Sequence, residues 1–212
     1  MTSPFSYTNF FSGTGIFKEL FEQFDYPWEA LPNIEQFISS FTKSEHFSDF
    51  TEIAPQVYIG KNVSIDDTAR ISGAAVIGHN TVIGHAAFVR GGVLIGENVN
   101  VGHATEVKNS IILNGAKLAH LNYIGDSIVG SNANISGGAT LANWRFDKKE
   151  VVIRDDGEGI PTHMEKMGSI IGDDSFIGVS AVINPGTVLA KKTLVFPLVS
   201  VKGTHLTPET IK

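Results

Sequence analysis

Residues 59–84 read IGKNVSIDDTARISGAAVIGHNTVIG, and an isoleucine falls on every sixth position: Ile59, Ile65, Ile71, Ile77 and Ile83. The step continues through Val89, Ile95, Val101, Val107 and Leu113, and returns after a gap at Ile171, Ile177, Ile183, Leu189, Val195 and Val201. Glycine follows the aliphatic at 60, 78, 84, 96 and 102, where a residue without Cβ suits a tight corner. One large aliphatic per six residues marks a hexapeptide solenoid. Each unit is a short strand and a turn, three units close a triangular coil, and coils stack about 4.8 Å apart. A coil cannot bury its apolar side alone, so stability comes from stacked neighbours.

Outside the repeat the composition changes. Ten of the fourteen phenylalanines lie in residues 1–54. GIFKELFEQF places Phe17, Leu20, Phe21 and Phe24 on one helical face, and YPWEALPNIEQFISSF predicts a proline-broken turn with a second helix from Pro32 or Asn33. A helical hairpin covering the open edge of the first coil accounts for both, with Trp28 in its core; an active-site lid or an oligomer contact is the alternative. Residues 142–170, ANWRFDKKEVVIRDDGEGIPTHMEKMGSI, are too long and polar for one side of a coil. VVIRDDGEGI predicts a hairpin there, an arm standing off the solenoid. The expected organisation is a helical cap at 1–54, a hexapeptide-repeat β-helix at 55–204 with its arm at 142–170, and a polar, fraying tail at 205–212.

The chain has 212 residues, 42% of them hydrophobic, and a net charge of −6. That balance argues against a broad nucleic-acid or anionic-membrane surface. No apolar stretch approaches the roughly 20 residues that span a bilayer, and MTSPFSYTNFF has no basic start followed by an apolar run. There is no cysteine, which removes disulfides, thiolate metal sites and acyl-cysteine chemistry. The expectation is a soluble cytoplasmic protein.

Spacing alone nominates several groups. Arg90 and Lys108 are one coil apart, so both side chains leave the same side about 5 Å apart. Such a pair suits a phosphate, or is simply two solvated surface charges. His85 and His103 share a frame, with His79 one unit earlier; they are either metal ligands between subunits or a plain surface stack. His120 sits in LAHLNYIG, where the six-residue step slips and the next aliphatics are Ile124, Val129 and Ile135. A dropped residue re-aims its neighbours much as a β-bulge does. A histidine suits a general base near neutral pH, but spacing leaves a structural role open.

The stretch LAHLNYIGDSIVGSNANISGGATLANWRFDKKEV resembles the acetyltransferase half of the bifunctional N-acetylglucosamine-1-phosphate uridyltransferase/glucosamine-1-phosphate acetyltransferases. The RFDKKEV arm resembles the archaeal-type sugar-phosphate enzymes most. This resemblance implies a left-handed parallel β-helix, although the usual crossover preference is right-handed. It implies acetyl transfer from acetyl-CoA to the 2-amine of glucosamine 1-phosphate, with His120 as general base and no metal. Arg90, Lys108, Tyr123, Asn134 and Lys149 fall on the family's sugar and phosphate positions. Asn143, Trp144, Val179 and Pro197 fall on coenzyme A positions, with Trp144 replacing a tyrosine. The basic tail of some members is missing, and Lys191 and Lys192 are its candidate substitutes. The nucleotidyltransferase domain has no counterpart in this chain, so that reaction is expected to be absent; a separate uridyltransferase is a candidate partner that the sequence leaves open. His120 lies two sides of the triangle beyond Lys108, so sites between the rods of a homotrimer are expected. Another amino-sugar or nucleotide-sugar acceptor, a non-catalytic sugar-phosphate-binding role and a zinc enzyme are the alternatives.

Overall fold

The structure, a computed structural model, describes residues 3–155 and 158–212. Among the described residues the chain winds a parallel β-solenoid with three faces, matching the expected left-handed β-helix. The first face stacks strands Val57–Ile59, Ala75–Ile77, Val93–Ile95, Ile111–Ile112, Ile128–Val129, Ser169–Ile171, Thr187–Leu189 and Thr204–His205. The second runs from Ser64–Ile65 through Asn100–His103 and Lys117–His120 to Thr210–Ile211. The third runs from Arg70–Ser72 through Phe88–Arg90, Glu106–Lys108 and Tyr123–Gly125 to Ser200–Val201. Inward aliphatics from all three form one continuous dry core.

The inward series departs from the expected one at a definite place. Ile112, not Leu113, points into the coil, followed by Leu118, Ile124 and Val129. The five-residue steps are therefore Val107 to Ile112 and Ile124 to Val129, both at the corner where the third face hands over to the first. The register agrees: Lys108 pairs with Arg90 across 18 residues, but Leu118 pairs with Val101 and His120 with His103 across 17. The six-residue corner immediately before the five-residue steps, between Val89 and Ile95, spends two left-handed residues, Gly91 and Gly92 (φ +48° and +58°), where those of Ile71–Ile77 and Ile183–Leu189 use one, Gly73 and Gly186. The shortened corners turn on one each, Asn109 and Asp126 (φ +44° and +47°), the residue types that tolerate this conformation best after glycine. The slip thus lies before His120 rather than at it.

The N-terminal segment is a succession of short turns rather than a hairpin of two helices. The α-helical pieces are Tyr7–Phe10, Lys18–Phe21 and Ile34–Ser40, with 3-10 turns between them, the longest being Pro27–Asn33. It lies along the flank of the solenoid, not over its end. Phe10, Phe11, Phe17, Leu20, Trp28 and Ile38 are buried against the outward row of the first face, which includes Val76, Leu94, Ile111, Ile128 and Val188. A sheet with apolar residues on both surfaces has to be covered, and this segment covers it. The open edge of the first coil is instead met by strand Thr51–Ala54, antiparallel to Val57–Ile59.

The arm also folds back. Val151, Ile153 and Met167 are buried in that same flank core, because a hairpin with alternating aliphatics gains more from the apolar face than from solvent. Strands Val152–Asp155 and Glu158–Pro161 form the expected hairpin; residues 156–157 at its tip lie outside the described residues. The tail continues the solenoid: Thr210–Ile211 pairs in register with Leu194–Val195. Among the described residues no helix is long and apolar enough to cross a membrane.

Candidate functional site

With the register corrected, His120 joins a column at the corner between the second and third faces. Each residue that turns this corner is left-handed: Ala86, Ala104, Leu121, Gly138, Ser180 and Leu198. From Ala104 onward their amides donate to the corner carbonyl one coil earlier, Ala104 to His85 (2.9 Å), Leu121 to His103 (2.8 Å), Gly138 to His120 (3.0 Å), Ser180 to Gly137 (3.0 Å) and Leu198 to Val179 (2.9 Å), whereas the Ala86 amide donates to Thr68 Oγ1 (2.9 Å). The column therefore reads His85, His103, His120, Gly137, Val179, Pro197. His79 belongs to a different corner, where its Nδ1 accepts the Lys61 amide at 2.7 Å.

The His85 and His103 rings stack with centroids 5.1 Å apart and planes 5° from parallel. Thr68 lies against His85 Nδ1 at 2.6 Å, and its hydroxyl and amide both donate to Asp66. Those two donors hold the Asp66 carboxyl below its ordinary range. Among the described residues no group of three or more histidine, aspartate or glutamate side chains is placed to hold a metal. His120 differs from its neighbours. It is exposed, and among the described residues neither ring nitrogen makes a hydrogen bond. Its imidazole lies over Gly137, where a Cβ would collide with the ring. Val179 of the column and the corner residues Leu121 and Leu198 beside it are exposed, so this corner is an apolar strip holding one unengaged imidazole.

The other candidates gather at the opposite edge of the third face. Arg90 and Lys108 stand in register, and both line a cavity of about 430 Å³ with Glu35, Ser72, Phe88, Gly91 and Asn109. Neither cation is bare. Arg90 donates to Glu106 at 2.8 Å, and Lys108 donates to Asp126 at 3.2 Å. Asp126 is 4% exposed and also accepts from Asn109 Nδ2 (2.8 Å) and from Asn143 Nδ2. Asn143 donates in addition to the Tyr123 hydroxyl at 3.1 Å. Burial, and then the Asp126 and Glu106 carboxylates, push the Tyr123 hydroxyl above its ordinary pKa, so it stays a neutral donor near pH 7. Asp126, absent from the expected set, is the hub joining Lys108, Asn109, Asn143 and Tyr123. Nothing in the sequence marks it, because its left-handed φ and the shortened corner it turns are seen only in the structure.

The remaining candidates stand apart from both groups. Asn134 lies on the second face and donates to Ser136 Oγ at 3.2 Å. Lys149 is exposed in the arm, its amide bonded to Asp147. Trp144 is half exposed, with Lys148 and Lys166 over its ring at 5.9 and 5.3 Å. It lines a groove of about 490 Å³ with Arg145, Phe146, Val182 and Pro185. The Lys191 ammonium donates to Thr8 O and Ser12 Oγ of the flank segment.

The repeat and these two edges define a hexapeptide-repeat β-solenoid. The family described as the GMPPB C-terminal domain matches residues 71–158. A bifunctional sugar-1-phosphate nucleotidylyltransferase/acetyltransferase of Sulfurisphaera tokodaii is 35% identical over 88 residues, 42% of this chain and 22% of that one. The bifunctional protein GlmU of Methanococcus maripaludis is 38% identical over 86 residues, 41% of this chain and 21% of that one. The match thus spans about a fifth of these relatives, and the resemblance found in the sequence stands on that stretch. Among solved structures, a mutant of AntD, an N-acyltransferase from Bacillus cereus in complex with dTDP and coenzyme A, is 19% identical. It covers 74% of this chain and 81% of its own, with a TM-score of 0.45.

Proposed function

We propose that this chain transfers acetyl from acetyl-CoA to the 2-amine of glucosamine 1-phosphate, giving N-acetylglucosamine 1-phosphate for UDP-N-acetylglucosamine synthesis. The observation that carries the reading is the unengaged His120 imidazole over Gly137, between exposed apolar residues. An amine attacks the thioester carbonyl only as the free base. His120 takes the proton the nitrogen sheds as the C–N bond forms, a role typically worth 10²–10⁴-fold. The tetrahedral oxyanion then collapses, the C–S bond breaks, and coenzyme A leaves as the thiol with that proton. Backbone N–H groups or the Asn134 amide stabilise the oxyanion. Arg90 and Lys108, with Lys149, hold the sugar phosphate, which joins an existing ion-pair network instead of two bare cations. Asn143, Trp144, Val179 and Pro197 line the path of coenzyme A.

The active unit in this reading is a homotrimer. His120 and the residue paired with Lys108, Gly125, close opposite ends of the third face, roughly 15 Å apart at about 3.3 Å per residue. A hexosamine phosphate alone is shorter than that backbone separation. A cleft between two rods brings the edges together and lets Asn134 approach from a second face.

The test is release of free thiol from acetyl-CoA with glucosamine 1-phosphate, against a His120→Ala control. The chain has no cysteine, so a thiol reagent reads coenzyme A alone. Release that needs the acceptor and drops at least 10²-fold in His120→Ala is expected. Release that ignores either one sinks the reading. Galactosamine 1-phosphate and a nucleotide-linked amino sugar in the same assay fix the acceptor.

A further inference from the structure

The arm that interrupts the repeat after Leu141 builds a second charged cavity, at the edge that the third face shares with the first. The cavity encloses about 470 Å³, and its walls include Arg145, Val152, Arg154, Asn184, Gly186 and Lys202. The hairpin is fixed there. Val151 and Ile153 are buried in the flank core. A Cβ on Gly186 (φ +76°) would lie 2.8 Å from Val151 Cγ1, so only a glycine fits between the corner and the hairpin. Arg154, next to Ile153, and Lys202, on the last corner of the third face, are both exposed. Arg145 donates through Nε and Nη2 to Asp147, at 2.8 and 2.6 Å. Three cations thus meet in a cavity whose lining, among the described residues, holds no carboxylate.

This cavity is continuous with the apolar groove of Trp144, Phe146 and Val182, because Arg145, Asn184 and Pro185 line both. The run follows the axis of the solenoid. His120 stands at the level of Tyr123–Gly125. The groove lies beside Thr140–Leu141 and Val182–Ile183, one and two coils further on. The cavity lies beside Val182–Ile183 and Ser200–Val201, two and three coils on. At about 4.8 Å per coil, the cavity is about 10–14 Å along the axis from the level of the imidazole. Coenzyme A has the same order of parts: a thioester, an uncharged pantetheine arm, then a pyrophosphate and a 3′-phosphate. Extended at roughly 1.2 Å per bond, the pantetheine arm carries the first phosphorus about 15 Å from the sulfur.

We propose that the arm of this chain is the phosphate clamp of the acyl donor. Arg154 and Lys202, with Arg145, hold the phosphates of acetyl-CoA, and the groove beside Phe146 takes its pantetheine. The proposal rests on the acetyl-CoA reading above, in which this edge and the His120 column come from neighbouring copies, so that the axial distance is the one the donor spans. The 3′-phosphate alone carries a charge of about −1.5 to −2 near pH 7, and guanidinium groups meet phosphate oxygens two at a time.

The experiment measures coenzyme A binding to the full chain by calorimetry. It adds thiol release from acetyl-CoA and from S-acetylpantetheine, which lacks every phosphate. In Arg154→Gln/Lys202→Gln, coenzyme A is expected to bind at least about tenfold more weakly, the effect of losing one charge-assisted contact. The KM for acetyl-CoA should rise to match, while the variant keeps whatever rate S-acetylpantetheine supports in the native chain. Phe146→Ser should weaken both donors by the same factor. Unchanged coenzyme A binding in Arg154→Gln/Lys202→Gln, or an equal loss with S-acetylpantetheine, overturns the clamp and leaves the acetyl-transfer reading standing. A native chain that binds coenzyme A with the expected loss in the variant but releases no thiol overturns the acetyl-transfer reading alone. A native chain that binds no coenzyme A overturns both.

Discussion

Lys108→Met should destabilise the protein more than loss of a surface charge does, because of what it leaves behind. The Asp126 side chain is 5% exposed and that of Lys108 25%, so the pair sits at the margin of the interior. Breaking a buried pair from one side typically costs about 3–5 kcal/mol. Here Asn109 and Asn143 still donate to the stranded carboxylate, which brings the expected cost down to about 2 kcal/mol. Asp126→Asn removes the charge but turns an amide N–H toward those same donors, at about 1–2 kcal/mol. The double variant strands no charge, so its cost should fall short of the sum by about 1.5 kcal/mol. Urea unfolding followed by circular dichroism measures this through the midpoints, provided the slopes agree. At roughly 2–4 °C per kcal/mol for a chain of this size, Lys108→Met should also melt about 4–8 °C lower. If the two single effects add within about 0.3 kcal/mol in the double variant, the residues are independent, and Asp126 is no hub.

Three further outcomes follow from the geometry. Gly137→Ala places a methyl group against the His120 imidazole; thiol release should fall 10–100-fold with the melting temperature nearly unchanged, whereas unaltered activity would place the ring elsewhere during reaction. Tyr123 has its hydroxyl pKa raised by burial and by Asp126 and Glu106, so above about pH 10 the unfolded chain ionises first and stability falls as pH rises; Tyr123→Phe should flatten that alkaline loss in urea midpoints taken at pH 9 to 11. Leu94→Ala opens a cavity between the flank segment and the first face, and a cost of about 2–4 kcal/mol, seen with faster proteolysis within residues 1–50, is expected.

The six-residue step was enough to read the solenoid, its three faces and the Arg90–Lys108 register, because one inward aliphatic per unit is a constraint each coil must meet. The shortened corners were not legible for a specific reason. Ile111, Ile112 and Leu113 are three aliphatics in a row, and either Ile112 or Leu113 keeps the pattern going. Only pairing tells them apart, with Ile112 beside Ile95. The misplaced slip hid the column shared by His85, His103 and His120. The flank contact did leave a trace: Val76–Ile77, Leu94–Ile95, Ile111–Ile112, Ile128–Val129, Ile170–Ile171 and Val188–Leu189 are doubled aliphatics, one pair per coil. A second aliphatic beside the inward one means that the outer surface of that face is also buried. Glu35 and Asp126 carried no such pattern, since a carboxylate's role depends on what a distant turn brings to it.

The two edges of the third face are built in opposite ways, and that contrast is itself mechanistic. At the edge shared with the first face, the chain folds its own helix over the corner and concentrates five charged groups around the Arg90–Lys108 cavity. At the edge shared with the second face nothing from the chain covers the column among the described residues, and Leu121, Val179 and Leu198 face outward beside an open imidazole. A site suited to an ionic ligand profits from walls that fix its charges before binding. A site for the uncharged pantetheine arm of an acyl carrier, whose charges lie at its far nucleotide end, gains from apolar surface that is buried only on assembly. The proposed acceptor is anchored at the first kind of edge and reacts at the second. In that proposal the two edges come from neighbouring copies: a second copy brings its Arg90–Lys108 edge to the first copy's His120 column.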